Sequence, residues 1–173
     1  MRAISFNDDV LPLKNELFRL ALRITLNREE AEDVVQETMI KVWNLRETWG
    51  EIESIGAFCH TICRNLSLDK IKSPAANSLP LDAAEGFSRP DRSYYADPAT
   101  MVEQRDKVET VRKIMNGLPE KQRSAMHLRD FEGKSYKEIA AILGISEEQV
   151  KVNIFRARQT IKRLFSETDV YGL

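Results

Sequence analysis

The sequence predicts an all-α protein of two small helical domains joined by a flexible linker. Apolar residues recur at three- and four-residue spacing through residues 10–72 and again through 101–166. Between them, over residues 73–100, the period lapses, and four of the six prolines fall between Ser73 and Pro98. Aromatic residues make up only 8% of the chain and β-branched runs are few, which disfavours strand. A length of 173 residues leaves room for two small domains, and 42% hydrophobic with 31% charged residues excludes wholesale disorder.

The first domain reads as a three-helix bundle. Leu13, Leu17, Leu20, Ala21 and Ile24 form one helical stripe. Asn27 with Glu30 supplies a cap and a reciprocal acceptor for the next helix. Its stripe is Ala31, Val34, Val35, Thr38, Val42 and Leu45, so it is expected to run to about Trp49. A third helix begins near Ser54 with Ile55, Phe58, Cys59, Ile62 and Leu66 on one face.

Helical spacing resumes after the linker with Val102, Val108, Val111 and Met115, and Gly117-Leu118-Pro119 breaks it. Pro119 is placed to start a helix, where no amide donor is needed, and that helix should close around Phe131, before Gly133. Ser135 with Glu138 then opens a helix carrying Ile139, Ala140, Ile142 and Leu143. Gly144 ends it, and Ser146 with Gln149 opens another in the same way. Two capped helices joined at Leu143-Gly144-Ile145-Ser146 make a helix-turn-helix. In the second of them Val150, Ile154, Ala157, Ile161 and Leu164 form the buried stripe. Lys151, Arg158 and Lys162 face outward, flanked by Glu147, Phe155 and Arg156.

Charge supports a nucleic-acid surface near the C-terminus. The net charge is −1 overall, but residues 107–165 hold 13 Lys+Arg against 7 Asp+Glu, whereas residues 73–106 hold 3 against 6. Guanidinium and ammonium groups neutralise phosphates, and an arginine can fork onto guanine. An outward charge stripe is often only a solvated face; the helix-turn-helix context favours DNA here. Cys59 and Cys63, with His60 between them, lack the second cluster a zinc site needs, so they read as core residues and no metal or cofactor is expected. No GxSxG, P-loop or HExxH motif is present, so no catalytic residue is assigned and the chain is read as no enzyme. No stretch approaches a membrane span and MRAISFNDDV lacks a signal-peptide layout, so a cytoplasmic location without membrane insertion is expected.

With both halves laid out, the chain resembles the extracytoplasmic-function sigma factors over about residues 10–72 and 101–166. The run GLPEKQRSAMHLRDFEGKSYKEIAAILGISEEQVKVNIFRARQTIKRLF is similar to their fourth conserved region. The resemblance implies that this region reads the minus-thirty-five duplex with Lys151, Asn153, Phe155, Arg156 and Arg158. EEAEDVVQETMIKVW is similar to the second region, where an acidic helix binds the clamp of the polymerase largest subunit, which gives Asp33, Gln36 and Glu37 the polymerase contact. SIGAFCHTICRNLSLDKIK resembles the helix that holds the minus-ten element, with Phe58, Arg64, Asn65 and Asp69 as its contacts. Phe58 stands where many relatives carry tryptophan. The alternative for this segment is structural, with Phe58 and Ile62 in the core and Arg64 in a surface pair.

The resemblance further implies core RNA polymerase (clamp, and flap of the second-largest subunit) and promoter DNA as partners. It also implies an anti-sigma factor wedged between the domains, which could hold the protein at the membrane. The linker would pass near the active-site and RNA-exit channels, where Asp82, Glu85 and Asp91 could mimic nucleic acid, while Tyr94 and Tyr95 have no assigned role. The competing reading is a conventional helix-turn-helix regulator that acts without being a polymerase subunit. Residues 1–72 offer that reading no α/β receiver pattern and no ligand pocket.

Overall fold

A computed structural model describes residues 2–72 and 98–170, and among them every regular element is helical. The linker residues from Ser73 to Asp97, with Asp82, Glu85, Asp91, Tyr94 and Tyr95, lie outside the described residues. A tight turn at Phe6–Val10 and a 3-10 turn at Leu11–Leu13 lead into helix α1, Lys14–Thr25. Helices α2, Arg28–Asn44, and α3, Ile55–Lys72, complete the N-terminal bundle, in which each helix packs on the other two.

Local chemistry sets the joints of this bundle. Leu26 ends α1 at φ +57°, with its N–H on Leu22 O at 2.8 Å. Asn27 Oδ1 then accepts the Glu30 N–H at 3.0 Å and starts α2. The expected run of α2 to Trp49 is corrected: it stops at Asn44, and Arg46–Glu51 forms a 3-10 turn. That turn folds Trp49 back into the core, where its indole N–H donates to Val42 O at 3.2 Å. Leu17, Ala21, Val34, Val42, Cys59 and Ile62 fill the interior around it. Burial pushes the Cys59 and Cys63 thiols up to about 12, so both stay protonated and act as small apolar groups.

The C-terminal domain begins with α4, Pro98–Asn116, which starts three residues inside the stretch read as linker. Helix α5, Glu120–Met126, continues through a wider π-type turn at His127–Phe131, so the helical path closes at Phe131 as the sequence suggests. Gly133 follows at φ +68°. Helices α6, Tyr136–Leu143, and α7, Glu147–Val170, complete the domain. Met115, Leu118, Met126, Ala157 and Ile161 join α4 and α5 to α7.

The two domains pack against each other. Leu20 and Ile24 of α1 and Ala57 of α3 share an apolar cluster with Leu128, Ile139, Ile142, Leu143, Val150 and Ile154. The α1 stripe is therefore two-sided, with Leu17 and Ala21 facing their own bundle and Leu20 and Ile24 facing the other domain. Among the described residues, four ion pairs cross the boundary. They are Arg19–Glu132 at 2.5 Å, Arg64–Glu120 at 2.9 Å, Lys134–Glu16 at 3.1 Å and Lys137–Glu53 at 3.4 Å.

Candidate nucleic-acid interface

Capping positions the outer face of α7. Ser135 Oγ accepts the Glu138 N–H at 3.1 Å to open α6, and Gly144 closes that helix at φ +66°, which suits a residue without Cβ. Ser146 Oγ then accepts the Gln149 N–H at 3.1 Å while Gln149 Oε1 takes the Ser146 N–H at 3.0 Å. This reciprocal box fixes the first turn of α7 and so the direction in which its outer face points.

Val150, Ile154, Ala157 and Ile161 are buried, which turns Lys151, Val152, Phe155 and Arg156 outward. Phe155 is 62% exposed and Val152 44%, unusual for apolar side chains on a helix with a well-formed buried stripe. Arg156 has no hydrogen-bond or ion-pair partner among the described residues. Lys151 Nζ lies 5.3 Å from the centre of the Tyr136 ring, and the Arg129 guanidinium lies 4.3 Å from it. The remaining two expected contacts are already engaged. Asn153 is half-buried and donates to Gln149 O at 2.7 Å. Arg158 forms a two-bond pair with Asp130, one at 3.1 Å from Nε, and that bonding raises its pKa further. Val152, Tyr136 and Arg129 belong to this surface yet carry no outward signal in the sequence, because their exposure depends on how α6 meets α7.

On α2, Asp33, Gln36 and Glu37 are all exposed on one side, one turn apart. Glu37 stands 3.4 Å from Lys70 Nζ, whereas Asp33 and Gln36 have no partner among the described residues. Ile40, one turn further on, is 61% exposed and gives this acidic stripe an apolar centre that the sequence reading missed. An acidic and amide surface around a bare isoleucine suits a protein partner with basic and apolar groups.

The α3 set divides. Asn65 and Asp69 lie exposed on one face, one turn apart. Phe58 is half-buried against the N-terminal core, and Ile62 is buried in it. Arg64 is 8% exposed, and both Nε and a terminal nitrogen bond Glu120 at 2.9 Å. The surface pair considered for Arg64 is thus a nearly buried bridge between domains.

Comparison with known proteins agrees with this geometry. Residues 10–76 match the family described as Sigma-70 region 2, and residues 109–161 match Sigma-70, region 4. The RNA polymerase sigma-H factor of Pseudomonas aeruginosa is 28% identical over 159 residues, covering 89% of this chain and 82% of that one. An extracytoplasmic-function sigma factor, SigE of Mycolicibacterium smegmatis, is 30% identical over 163 residues, and this chain spans 60% of its length. The sigma factor RpoE of Bartonella quintana, solved in complex with the anti-sigma factor NepR, superposes with a TM-score of 0.72 at 23% identity, covering 93% of this chain and 96% of that one. A conventional helix-turn-helix regulator is not favoured, since the match extends over the N-terminal domain as well. The chain belongs to the sigma-70 family, as an RNA polymerase sigma factor of the extracytoplasmic-function type.

Proposed function

We propose that this chain acts as a non-catalytic subunit that divides promoter recognition between two surfaces held at a fixed distance by core RNA polymerase. The outer face of α7 enters the minus-thirty-five major groove, with Lys151 and Arg156 on phosphates or guanine and Phe155 and Val152 against base methyls. Asn153 and Arg158 flank it, Arg158 once Asp130 releases it. Asp33, Gln36 and Glu37, around Ile40, dock on the clamp of the largest subunit. Asn65, Asp69 and, after the domains part, Arg64 and Phe58 hold the opened minus-ten strand. The observation that carries this reading is the pairing of a capped helix-turn-helix, its outer face bare, with a second domain whose acidic α2 face is bare too.

Each DNA contact is weak alone and becomes effectively intramolecular once polymerase fixes the other. The reading requires the domains to separate, because the packed arrangement engages Arg64 with Glu120. An anti-sigma protein that stabilises the packed state would keep the factor silent, and RpoE of Bartonella quintana was solved in complex with an anti-sigma factor. The action is placed in the cytoplasm, where polymerase and DNA are. Among the described residues no helix is long and apolar enough to cross a membrane.

Gel mobility of a promoter fragment with protein, core polymerase or both tests the reading. A heparin-resistant, sequence-specific complex should form only with both present. Tight specific binding by the protein alone would overturn it.

A further inference from the structure

A cavity of about 220 Å³ opens at the seam between the domains, walled by α1, α4 and the turn that follows α5. Its polar lining is basic. Arg19 is matched by Glu132, with bonds of 2.5 and 2.9 Å, and so adds no net charge. Arg23 is 8% exposed and has one hydrogen bond, from a terminal nitrogen to Asn116 Oδ1 at 3.2 Å, while its Nε has no partner. Arg112 has no ion pair or hydrogen bond among the described residues, and its Nε is buried. His127 is 2% exposed with no partner for Nδ1. Arg123, packed behind, bonds the carbonyls of Asn116 and Leu118 through one nitrogen and no other group among the described residues.

Guanidinium groups crowded in this way repel one another. Burial lowers the Arg23 pKa to about 10, helped by the charges of Arg112 and Arg123. At neutral pH Arg23 still carries its charge, and a buried charge without a counter-ion is costly. Among the described residues the lining holds one carboxylate, Glu132, which is already engaged by Arg19. Phe18, Leu22 and Phe131 form the apolar remainder of the wall, and Phe131 is 48% exposed at the mouth.

We infer that this cavity is a binding site for a phosphate-type oxyanion, held by Arg23 and Arg112. Planar guanidinium forks match a tetrahedral oxyanion with two parallel hydrogen bonds each. The volume admits a phosphate or diphosphate group and is small for a whole nucleotide, so a larger phosphorylated metabolite would leave its remaining part at the mouth, beside Phe131. Because α1 belongs to one domain and Arg112 to the other, occupancy favours the packed arrangement over the separated one. The site shares no residue with the DNA and polymerase contacts proposed above.

Isothermal titration of the full chain with inorganic phosphate, pyrophosphate and a nucleoside diphosphate, at constant ionic strength, tests this inference. The expected result is saturable one-to-one binding of at least one of them, weakened about tenfold or more in Arg112→Gln. Among the described residues Arg112 makes no hydrogen bond or ion pair, so that variant should keep the wild-type helical content and melt no lower than the wild type. Arg23→Lys, which keeps the charge but loses the fork, should also bind more weakly. Saturation by inorganic phosphate would identify the free ion as a sufficient ligand; binding of the nucleotide alone would identify the anion as an end group. No saturable binding of any of the three, or equal affinity in Arg112→Gln and the wild type, would overturn the proposal.

Discussion

Arg64 and Glu120 face each other across the domain boundary, joined by two parallel hydrogen bonds of 2.9 Å each. Glu120 Oε1 also accepts the Ser124 hydroxyl at 3.0 Å, which braces the carboxylate. A residue proposed to hold opened promoter DNA is thus engaged by a carboxylate at the start of the C-terminal domain. Opening the domains and freeing Arg64 are one event.

Glu120→Gln should therefore loosen the seam and favour the separated form. Removing one partner of a nearly buried pair costs several kcal/mol when fully buried and about 1–2 kcal/mol at this partial exposure. Hydrogen exchange should speed up along the seam faces of α3 and α6. Transcripts formed with limiting core polymerase should rise. The double reversal Arg64→Glu with Glu120→Arg should restore slow exchange but not transcription, because DNA meets the wrong charge.

Acid should loosen the same seam in two steps. Burial lowers the pKa of His60, beside Glu16 and Lys134, and of His127, beside Glu132, Arg19 and Arg23. A histidine held neutral in the packed state and free to protonate when exposed stabilises packing above its ordinary value of about 6.5. That stability is lost as the pH falls below 6.5 through the lowered pKa values. Burial would raise Glu132, but its two bonds to Arg19 and the nearby His127 ring prevail and hold it at about 2, so its contribution persists until the pH falls below about 4.5. Energy transfer between dyes on the two domains should fall first below pH 6.5. His60→Gln with His127→Gln should abolish that first step and leave the second.

On the α7 face, Lys151→Ala should weaken holoenzyme binding across promoter sequences and reduce the salt slope by about one. Arg158→Ala should do less in the free protein, since Asp130 already holds it. Phe155→Ala should leave folding intact, the ring being largely exposed, yet cost about 1 kcal/mol at sites with a thymine beneath it. Anisotropy of labelled promoter DNA over a salt series separates the three.

Ile40→Ala removes a mostly exposed side chain and should shift the melting temperature little. Its affinity for core polymerase should drop about tenfold if the residue sits at the centre of the contact, as with Asp33→Ala. Competition against a labelled sigma factor for core polymerase measures both.

Much of this architecture is local and therefore legible in the sequence. Ser135 with Glu138, Gly144, and Ser146 with Gln149 are signals three residues apart, and each forms the cap or turn its chemistry requires. The α7 division into inner and outer faces follows from a stripe of one width. What stayed hidden depends on contacts far apart in the chain. Leu20 and Ile24 lie on the same helix as Leu17 and Ala21, and periodicity cannot tell which neighbour an apolar residue will meet. Arg158 meets Asp130 from 28 residues away, and Arg64 meets Glu120 from 56. Helix α2 ends early because Trp49 turns back to bond Val42, a tertiary contact that overrides a continuing helical stripe.

The most direct measurement is run-off transcription from a promoter library, using purified core RNA polymerase with and without this protein. The account predicts new transcripts that share upstream minus-thirty-five and minus-ten motifs, that appear only with the protein, and that disappear with Arg156→Ala and Asp33→Ala. No new transcripts with a matched core polymerase, while the protein alone binds a palindromic duplex tightly, would contradict it.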